Sequence, residues 1–310
     1  MHTPVLMKEV SELLNCAPGK NFVDCTVGSG GHAQMILRLT APHGKLIGID
    51  IDPHAIERTK EALRPFGKRA VLVNDSYAHI ARIVAGAPVR TIEGILLDLG
   101  ISSEQLEDSS SGFSFQKKGP LLMTFSGKRS GLIAEEVVNS FSGRELYKII
   151  TCYGEERYAR SIVRNILASR EREPIKDTAE LARIITESVP QKARGRSKIH
   201  PATKTFQAIR MYVNDELNTI KAVIPQALGI LKPGGRLAVI SFHSLEDRLV
   251  KTEFKKAAQS CACPPDFPVC TCRAKQMVRL VTRRAIKPSM AEQAQNPRSR
   301  SARLRVVEKI

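Results

Sequence analysis

The sequence lacks any long apolar segment. No apolar run approaches the roughly 18 residues that a membrane-spanning helix needs, so we expect no membrane helix. The N-terminus carries His2 and Pro4 where a signal peptide would have a basic segment and an apolar core. We therefore expect a cytoplasmic protein. With 310 residues, 42% of them hydrophobic, the chain has enough apolar material for one large domain or two modest ones.

Acidic residues are scarce relative to basic ones. The chain has 48 Lys and Arg against 31 Asp and Glu, which gives a net charge of +17. Residues 273–309 hold eleven of the basic residues against two acids. Such an excess repels itself unless a polyanion offsets it, and nucleic acid is the commonest polyanion. We expect RNA contact there and at a second basic cluster, with two solvated surface loops as the alternative. The second cluster comprises Lys192, Arg194, Arg196, Lys198 and Lys204.

Five short apolar runs rich in β-branched residues alternate with helical patterns. Four of the five runs end in a small or acidic residue, and such runs are typical of buried parallel strands. Helical patterns between them include 31–39 and 53–63. This alternation predicts a Rossmann-like, doubly wound α/β sheet, in which ligands bind at the carboxyl ends of the strands. The runs are 22–26, 46–52, 70–75, 94–100 and 236–242.

One connection between strands is too long for a single crossover helix. The fourth strand ends near Asp98 and the fifth begins near Arg236, so roughly a hundred residues form an insertion. Helical periodicity over 143–169 and 178–188, on either side of Pro174, predicts that the insertion is a mostly α-helical domain. The predicted bounds are 106–205 for this domain and 1–105 plus 206–310 for the sheet domain.

A glycine-rich loop follows the first strand. Gly28, Gly30 and Gly31 offer bare backbone to a ligand, but the loop lacks the G-x-G-x-x-G spacing of dinucleotide sites. Asp50 closes the second strand, where it can accept hydrogen bonds from ribose hydroxyls. Residues 74–77 end the third strand, where an adenine could be flanked. These spacings favour S-adenosylmethionine over NAD as the ligand.

Two other acidic residues near these strand ends could have structural roles instead of contacting the ligand. Asp24 could hold the glycine turn instead of contacting a ligand, and Asp75 could cap a helix. Asp52, directly before Pro53, is expected to cap the helix that follows the second strand.

Long motifs along nearly the whole chain resemble one family. They are H-T-P-V-L at 2–6, G-S-G-G-H at 28–32, I-L-L-D-L-G-I-S-S at 95–103 with Gln105, G-F-S-F at 112–115, Y-G-E-E-R at 153–157, H-P-A-T-K-T-F-Q-A-I-R at 200–210 and S-F-H-S-L-E-D-R at 241–248. They resemble the MraW family, also called RsmH, which methylates the exocyclic amino nitrogen of a decoding-centre cytidine in small-subunit ribosomal RNA. The resemblance implies a Rossmann-like methyltransferase fold with an inserted helical domain. It places the contacts to S-adenosylmethionine on Gly30, Gly31, His32, Asp50, Tyr77, Asp98 and Gln105.

The chain departs from the family pattern soon after the fourth strand. Where the family usually reads D-G-P-L-D-M-R-M-D, residues 118–126 read K-G-P-L-L-M-T-F-S, with three acids and an arginine replaced. The replaced groups are expected to shape the entrance to the site or to contact RNA. A milder change puts Cys25 and Val27 in a loop that the family often begins D-G-T-F-G. A competing hypothesis is therefore a catalytically weak RNA-binding assembly factor that keeps the fold and charge but not the turnover.

Methylation of a cytosine amino group sets requirements of its own. The nitrogen lone pair is delocalised into the ring, so catalysis needs in-line positioning and an acceptor that draws the amino group toward tetrahedral geometry. Asp98, at the end of the fourth strand, is the candidate acceptor; alternatively, it only orients the cofactor. His243, just past the fifth strand, could contact the target base or serve as a structural cap.

A structured cytidine must leave its stack to reach the methyl group. Unstacking costs a few kcal/mol, which contacts to RNA phosphates would offset. The candidate residues for these contacts are Lys198, His200, Lys204 and Arg210. A third hypothesis, a methyltransferase that acts on protein or on a small molecule, is disfavoured by the basic C-terminal residues.

Four of the seven cysteines lie close together. Cys261, Cys263, Cys270 and Cys272 form two C-x-C pairs, which in a cytoplasmic chain indicate a structural zinc more than disulfides. Zinc knuckles more often use C-x-x-C, so a reduced thiol loop is the alternative. The oligomeric state, monomer or homodimer, stays open at this point.

Overall fold

The computed structural model describes residues 4–127, 131–194, 199–261, 263 and 275–310. The chain divides into two compact units, one formed by residues 1–100 with 217–310 and the other by residues 101–216. The predicted insertion, 106–205, lies inside the second unit. Its predicted end falls within the helix Thr203–Val213, which stays whole in the second unit because its apolar side chains belong to that unit's core.

The first unit is built on a seven-stranded sheet. Its strand order is β3-β2-β1-β4-β5-β7-β6; β1 to β5 are parallel, and β7 is antiparallel to both β5 and β6. This topology confirms the predicted doubly wound α/β class. The fifth strand begins earlier than predicted, because the turn before Arg236 pairs with β4 across a register shift. The strands are β1 Phe22–Asp24, β2 Leu46–Asp50, β3 Ala70–Asn74, β4 Ile92–Asp98, β5 Leu231–Ser241, β6 Val278–Leu280 and β7 Arg303–Lys309.

Helices cover both faces of this sheet. The predicted helices 31–39 and 53–63 are confirmed, and Asp52 caps the second by accepting a hydrogen bond from the His54 N–H at 2.8 Å. In and next to the first unit, the helices are α1 Met7–Leu13, α2 Gly31–Leu39, α3 Pro53–Leu63, α4 Ile80–Gly86, α12 Glu216–Ile230, α13 Ser244–Ala257 and α14 Met290–Gln295, with 3₁₀ helices at Arg64–Arg69, Tyr77–His79 and Pro297–Ser301.

Each face of the sheet has its own apolar core. Successive side chains of a strand point to opposite faces, so Val23 and Ile95 join one core while Phe22 and Leu96 join the other. Complete burial of such a side chain contributes about 1.5–3 kcal/mol. Because both faces are covered, the strands appear in the sequence as continuous apolar runs rather than alternating ones.

The second unit is mostly helical, as predicted. The helix predicted over 143–169 is two helices, since Glu155 adopts a left-handed conformation with φ 47° and ends the first of them. The helix predicted over 178–188 is confirmed, with Asp177 as its cap. The helices are α5 Ser103–Glu107, α6 Ala134–Ser140, α7 Gly143–Gly154, α8 Ala159–Arg170, α9 Thr178–Ser188, α10 Gln191–Arg194 and α11 Thr203–Val213.

The segment that departs from the family pattern, residues 118–126, belongs to the core of the second unit. Leu121 and Met123 are fully buried. The Asn214 side chain holds the segment in place, because its amide donates to the Met123 carbonyl at 2.7 Å and its oxygen accepts from the Phe125 N–H at 2.9 Å. Leu121 and Met123 match the family pattern. Of the altered residues, Thr124 is buried and Phe125 packs against Phe113 with ring centroids 5.2 Å apart, whereas Lys118 is exposed and lies 3.3 Å from Asp177. In the described part of the chain, no helix is both long enough and apolar enough to cross a membrane.

Candidate active site

The loop after β1 takes its shape from two glycines. Gly28 has φ 51°, and Gly30, the N-cap of α2, has φ 80°. In this left-handed region an L side chain costs about 1–2 kcal/mol. Gly31 is required for a different reason, because a Cβ at that position would lie 2.2 Å from Cγ of Pro4. Gly31 is therefore required for packing against Pro4, and its contact with a ligand stays a prediction.

Asp50 connects the end of β2 to this loop. Its Oδ2 accepts a hydrogen bond from the Gly28 N–H at 2.9 Å, and its Oδ1 accepts one from the Asp52 N–H at 3.0 Å. Burial raises the pKa of Asp50 to about 6, although both N–H donors favour the charged form. A carboxylate has about four lone-pair positions, so Asp50 keeps the capacity to accept from a ribose hydroxyl while it fixes the loop.

Asp98 ends β4 and meets the first turn of α2. Its N–H donates to Oγ1 of Thr26 at 2.7 Å, and Nε2 of His32 lies 3.7 Å from its Oδ2. The Asp98 side chain is 23% exposed, yet its Oδ1 is inaccessible and has no hydrogen-bond partner among the described residues. An acceptor oxygen with unused capacity therefore lies at the carboxyl edge of the sheet.

Three carboxyl groups at this edge have perturbed acidity. The pKa of Asp24 is raised to about 7, mainly by burial and also by the charges of Asp98 and Asp50, while a hydrogen bond from the Thr26 N–H lowers it. Burial also raises the pKa of Asp98 to about 7, and the charge of Glu246 adds to this effect. Perturbed acids gathered in one place are typical of functional sites.

These shifts determine how stability depends on pH. A carboxyl group with a raised pKa binds more protons in the folded chain than in the unfolded chain over the interval between its two pKa values. For Asp98, stability therefore falls as the pH rises from the ordinary value of 3.8 to about 7, and no further contribution is lost above that.

Tyr77 lies at the end of β3, as predicted, and begins a short 3₁₀ helix. Its half-buried ring packs against one of the two sheet cores. Ser76 caps this helix, with its hydroxyl accepting from the Ala78 N–H at 3.2 Å. Asp75, the alternative cap, instead pairs with His79 at 2.9 Å and with Arg82 at 2.6 Å.

His243 is the N-cap of α13. Its Nδ1 accepts from the Glu246 N–H at 3.4 Å, and the Glu246 carboxylate accepts in return from the N–H groups of Phe242 and His243 at 2.8 and 3.3 Å. The side chain of His243 is 13% exposed. These contacts support the capping alternative, and a catalytic role for His243 stays a prediction.

The candidate RNA contacts of the second unit take part in its internal structure. The His200 ring stacks on Phe115 with centroids 4.6 Å apart. The Lys204 ammonium donates to the Glu155 carbonyl at 3.0 Å, at the end of α7. Lys198 lies outside the described residues.

Arg210 and Gln105 also have structural partners in that unit. Arg210 and Glu216 form a bidentate pair with N–O distances of 2.7 and 2.9 Å, and their side chains are only 12% and 7% exposed. The Gln105 side chain accepts from the Ser102 N–H at 3.2 Å in a capping box at the start of α5. Their roles toward RNA and cofactor stay predictions.

Half of the cysteine cluster can be described. The Cys263 N–H donates to Sγ of Cys261 at 3.4 Å. Cys270 and Cys272 lie outside the described residues, so the zinc site stays a prediction.

Three residues that shape the site were not singled out from the sequence. Thr26 holds the backbone of Asp98, Thr59 Oγ1 donates to the Gly28 carbonyl at 2.6 Å, and Glu246 raises the pKa of Asp98. Thr26 could have been found, since it lies between the first strand and the glycine loop. Thr59 and Glu246 are distant in sequence, so only the fold reveals their position.

Comparison with known proteins places the chain in a family. The model of the MraW methylase family matches residues 1–310. The ribosomal RNA small subunit methyltransferase H of Syntrophotalea carbinolica is 48% identical over 309 residues, with 100% of this chain and 98% of that protein covered. The corresponding protein of Syntrophus aciditrophicus is 47% identical with the same coverage.

A solved structure with full coverage gives a weaker likeness. The rRNA methylase from Streptococcus thermophilus shares 12% identity over 100% of this chain and 99% of that one, with a TM-score of 0.44. The family assignment thus depends on the match along the whole sequence and on the full-length relatives. On that evidence, the chain belongs to the MraW methylase family.

Proposed function

We propose that the chain transfers a methyl group from S-adenosylmethionine to the exocyclic amino nitrogen of a cytidine in the decoding centre of small-subunit ribosomal RNA. The observation that carries this proposal is the edge where Asp98, His32, Asp50 and the glycine loop meet. Membership in the MraW family and the names of the full-length relatives support the choice of RNA as the substrate.

The residues at this edge fit the cofactor. The left-handed Gly28 and Gly30 leave open backbone, and Asp50 offers lone pairs to ribose hydroxyls. When bound, S-adenosylmethionine supplies a methyl group already activated on a sulfonium. Gly30, Gly31, His32, Asp50, Tyr77, Asp98 and Gln105 are the proposed holding residues.

Asp98 acts on the amino group. The partly exposed Asp98 carboxylate accepts a hydrogen bond from the cytosine N–H, which directs the nitrogen lone pair out of conjugation with the ring. Formation of the nitrogen–carbon bond would break the sulfur–methyl bond and leave a neutral thioether. The amino nitrogen would then carry the positive charge, and one of its protons would pass to the Asp98 carboxylate. A pKa of about 7 suits this role, because the carboxylate is mostly ionised above that pH and basic enough to take the proton. His32, 3.7 Å away, orients the carboxylate.

Basic residues hold the RNA. The net charge of +17 attracts a polyanion, and phosphate contacts offset the cost of unstacking the target base. Lys198, His200, Lys204 and Arg210 remain the proposed contacts in the second unit. In addition to Asp98, His243 is proposed to contact the target base.

The test is transfer of labelled methyl groups from S-adenosylmethionine to small ribosomal subunits that lack the modification, with the product nucleoside identified by mass spectrometry. We expect N(4)-methylcytidine. Cofactor binding without transfer would instead favour an RNA-binding assembly factor, which the altered segment 118–126 motivates. Transfer to protein in place of RNA would refute the proposed substrate.

We also propose a structural metal, a location and an oligomeric state. A structural zinc on Cys261, Cys263, Cys270 and Cys272 is supported by their spacing and would be checked by metal analysis of the purified protein. We also propose a cytoplasmic location and either a monomer or a homodimer, which fractionation and light scattering would test.

A further inference from the structure

The first unit contains a concave pocket whose basic residues belong to the predicted RNA-contacting stretch 273–309 but have had no individual role so far. His243 also lines it. The volume of the pocket is about 280 Å³, and it lies between the turn that joins β5 to α13 and the C-terminal segment that leads into β7. The residues that line it are Phe242, His243, Ser244, Lys287, Arg300, Ser301, Ala302 and Arg303.

The lining of the pocket is strongly basic. Lys287, Arg300 and Arg303 contribute three cations, and no lining residue is acidic. Within the part of the chain that the structure describes, neither Lys287 nor Arg300 has an ion-pair partner. Arg303 lies 3.5 Å from Asp247, which is already engaged by another arginine.

The neighbouring acid does not cancel this charge. Asp247 pairs with Arg305 through two contacts of 2.7 and 3.1 Å, and Arg305 is only 11% exposed. Arg303 is 44% exposed and remains available to a ligand. The pocket therefore has a surplus of positive charge open to solvent.

The other lining groups suit a phosphate. Ser244 and Ser301 carry hydroxyl donors, and α13, with 14 residues, begins at Ser244 with its positive end toward this turn. Phosphate oxygens accept charge-assisted hydrogen bonds from arginine and lysine and further bonds from hydroxyls.

The pocket is close to the acidic edge of the same sheet. Ile240 pairs with Asp98, and the backbone reaches Phe242 two residues later. The Phe242 ring packs so closely on Gly100 that a Cβ there would be 2.8 Å from it. At about 3.8 Å per residue, the pocket begins within roughly 10 Å of the end of β4, so one RNA strand can reach both places.

We infer that this pocket binds a backbone phosphate of the RNA substrate and thereby positions the strand whose base reaches Asp98. The inference rests on the proposed function. Arg300, Lys287 and Arg303 hold the phosphate, and their contact sets the register of the strand relative to the sheet edge. They are positioning residues, because they act on the backbone and not on the reacting base.

The test compares two double variants with equal charge loss. Lys287→Gln with Arg300→Gln removes two pocket cations, while Lys255→Gln with Lys256→Gln removes two exposed cations at the opposite end of α13. Affinity for a labelled single-stranded RNA is measured by anisotropy between about 50 and 200 mM salt. We expect the pocket variant to bind about tenfold more weakly and its log–log salt slope to shrink by about 1, with little change in the control.

Each outcome decides the inference. Equal behaviour of the two variants, or a wild-type protein that does not bind RNA, would overturn it. Binding of inorganic phosphate that depends on Lys287 and Arg300, with RNA affinity unchanged, would show a free-anion site instead and would also overturn it. Loss of RNA affinity in the pocket variant alone supports it, even if the wild-type protein fails to methylate the subunit. In that last case the proposed function fails while the phosphate pocket stands.

Discussion

The two units differ in what becomes of their predicted functional residues. In the first unit, the residues predicted at strand ends gather at one edge, where Asp50 and Asp98 keep acceptor capacity. In the second unit, His200, Lys204 and Arg210 are engaged in internal contacts. In a parallel sheet the carboxyl ends of neighbouring strands lie at the same edge, so residues at those ends come together. A basic residue on a helix can instead pack or pair within its own unit, so its charge alone does not show that it contacts a ligand.

This contrast has a consequence for RNA binding. Charge in the sequence predicts a polyanionic partner but not which cations meet it, because arginine is also well suited to bidentate internal pairs. In the pocket, Lys287 and Arg300 have no ion-pair partner among the described residues, whereas Arg303 lies near Asp247 and Arg210 is paired with Glu216. We therefore expect the phosphate contacts of the first unit to matter more than those predicted from the motif at 200–210.

The largest effect is expected at Asp98. Asp98→Asn removes the acceptor charge and the proton acceptor, and the single-turnover rate of methyl transfer should fall about 10³-fold. Affinity for S-adenosylmethionine, measured by calorimetry, should change far less. An unchanged rate would mean that Asp98 serves only to orient the cofactor.

A stability measurement on the same variant shows that it is folded. Because burial raises the pKa of Asp98 to about 7, ionisation of the carboxyl group opposes folding at alkaline pH. Asp98→Asn should therefore melt no lower than the wild-type protein at about pH 8, and this advantage should disappear toward about pH 4.

Arg210 should show a large effect on stability. Arg210→Ala leaves Glu216 buried without its bidentate partner, which should lower the free energy of unfolding by about 3 kcal/mol in chemical denaturation. The control is Arg183→Ala, which removes an exposed pair with Glu187 and should cost less than about 0.5 kcal/mol. A stable Arg210→Ala protein with weakened RNA binding would show that Arg210 serves as the proposed RNA contact and that its pair with Glu216 contributes little stability.

Asp50 should control the cofactor. Asp50→Ala removes the acceptor for ribose hydroxyls and also frees the Gly28 N–H, so the Kd for S-adenosylmethionine should rise about 100-fold, equivalent to about 2.7 kcal/mol. Glu187→Ala, at an exposed residue of the second unit to which no cofactor role is assigned, is the control and should leave the Kd within a few-fold. An unchanged Kd in Asp50→Ala would remove Asp50 from the cofactor site.

The smallest effect is expected at Gly31. Gly31→Ala places a methyl group against Pro4 and should cost about 1–2 kcal/mol of stability. Combining it with Pro4→Ala should recover part of this loss, as thermal unfolding would show. If the single variant loses cofactor affinity at full stability, Gly31 contacts the ligand and its packing role is secondary.

Much of the first unit was predictable because its signals are local. A helix such as Pro53–Leu63 has its cap, its proline and its periodicity within a few residues. The acidic strand ends were predictable for the same reason, since Asp50 and Asp98 each follow directly on a buried run.

The features that could not be predicted depend on contacts between residues that are distant in the sequence, or on backbone conformations that no residue type indicates. Glu155 and Asp215 have left-handed backbones with φ 47° and 48°, in residues that carry no glycine signal. The first splits the predicted helix, and the second lies between Arg210 and Glu216, in the turn that lets them pair. The steric need for Gly31 likewise comes from Pro4, far away along the chain.

The most direct test of the account is the pH dependence of single-turnover methyl transfer to small ribosomal subunits at saturating S-adenosylmethionine. If the ionised Asp98 is the acceptor, the wild-type rate should rise about tenfold per pH unit and level off above about pH 7. The residual rate of Asp98→Asn should lack this rise. A wild-type rate that is flat over the same interval, or one that falls with rising pH, would contradict the assignment of Asp98 as the catalytic acceptor.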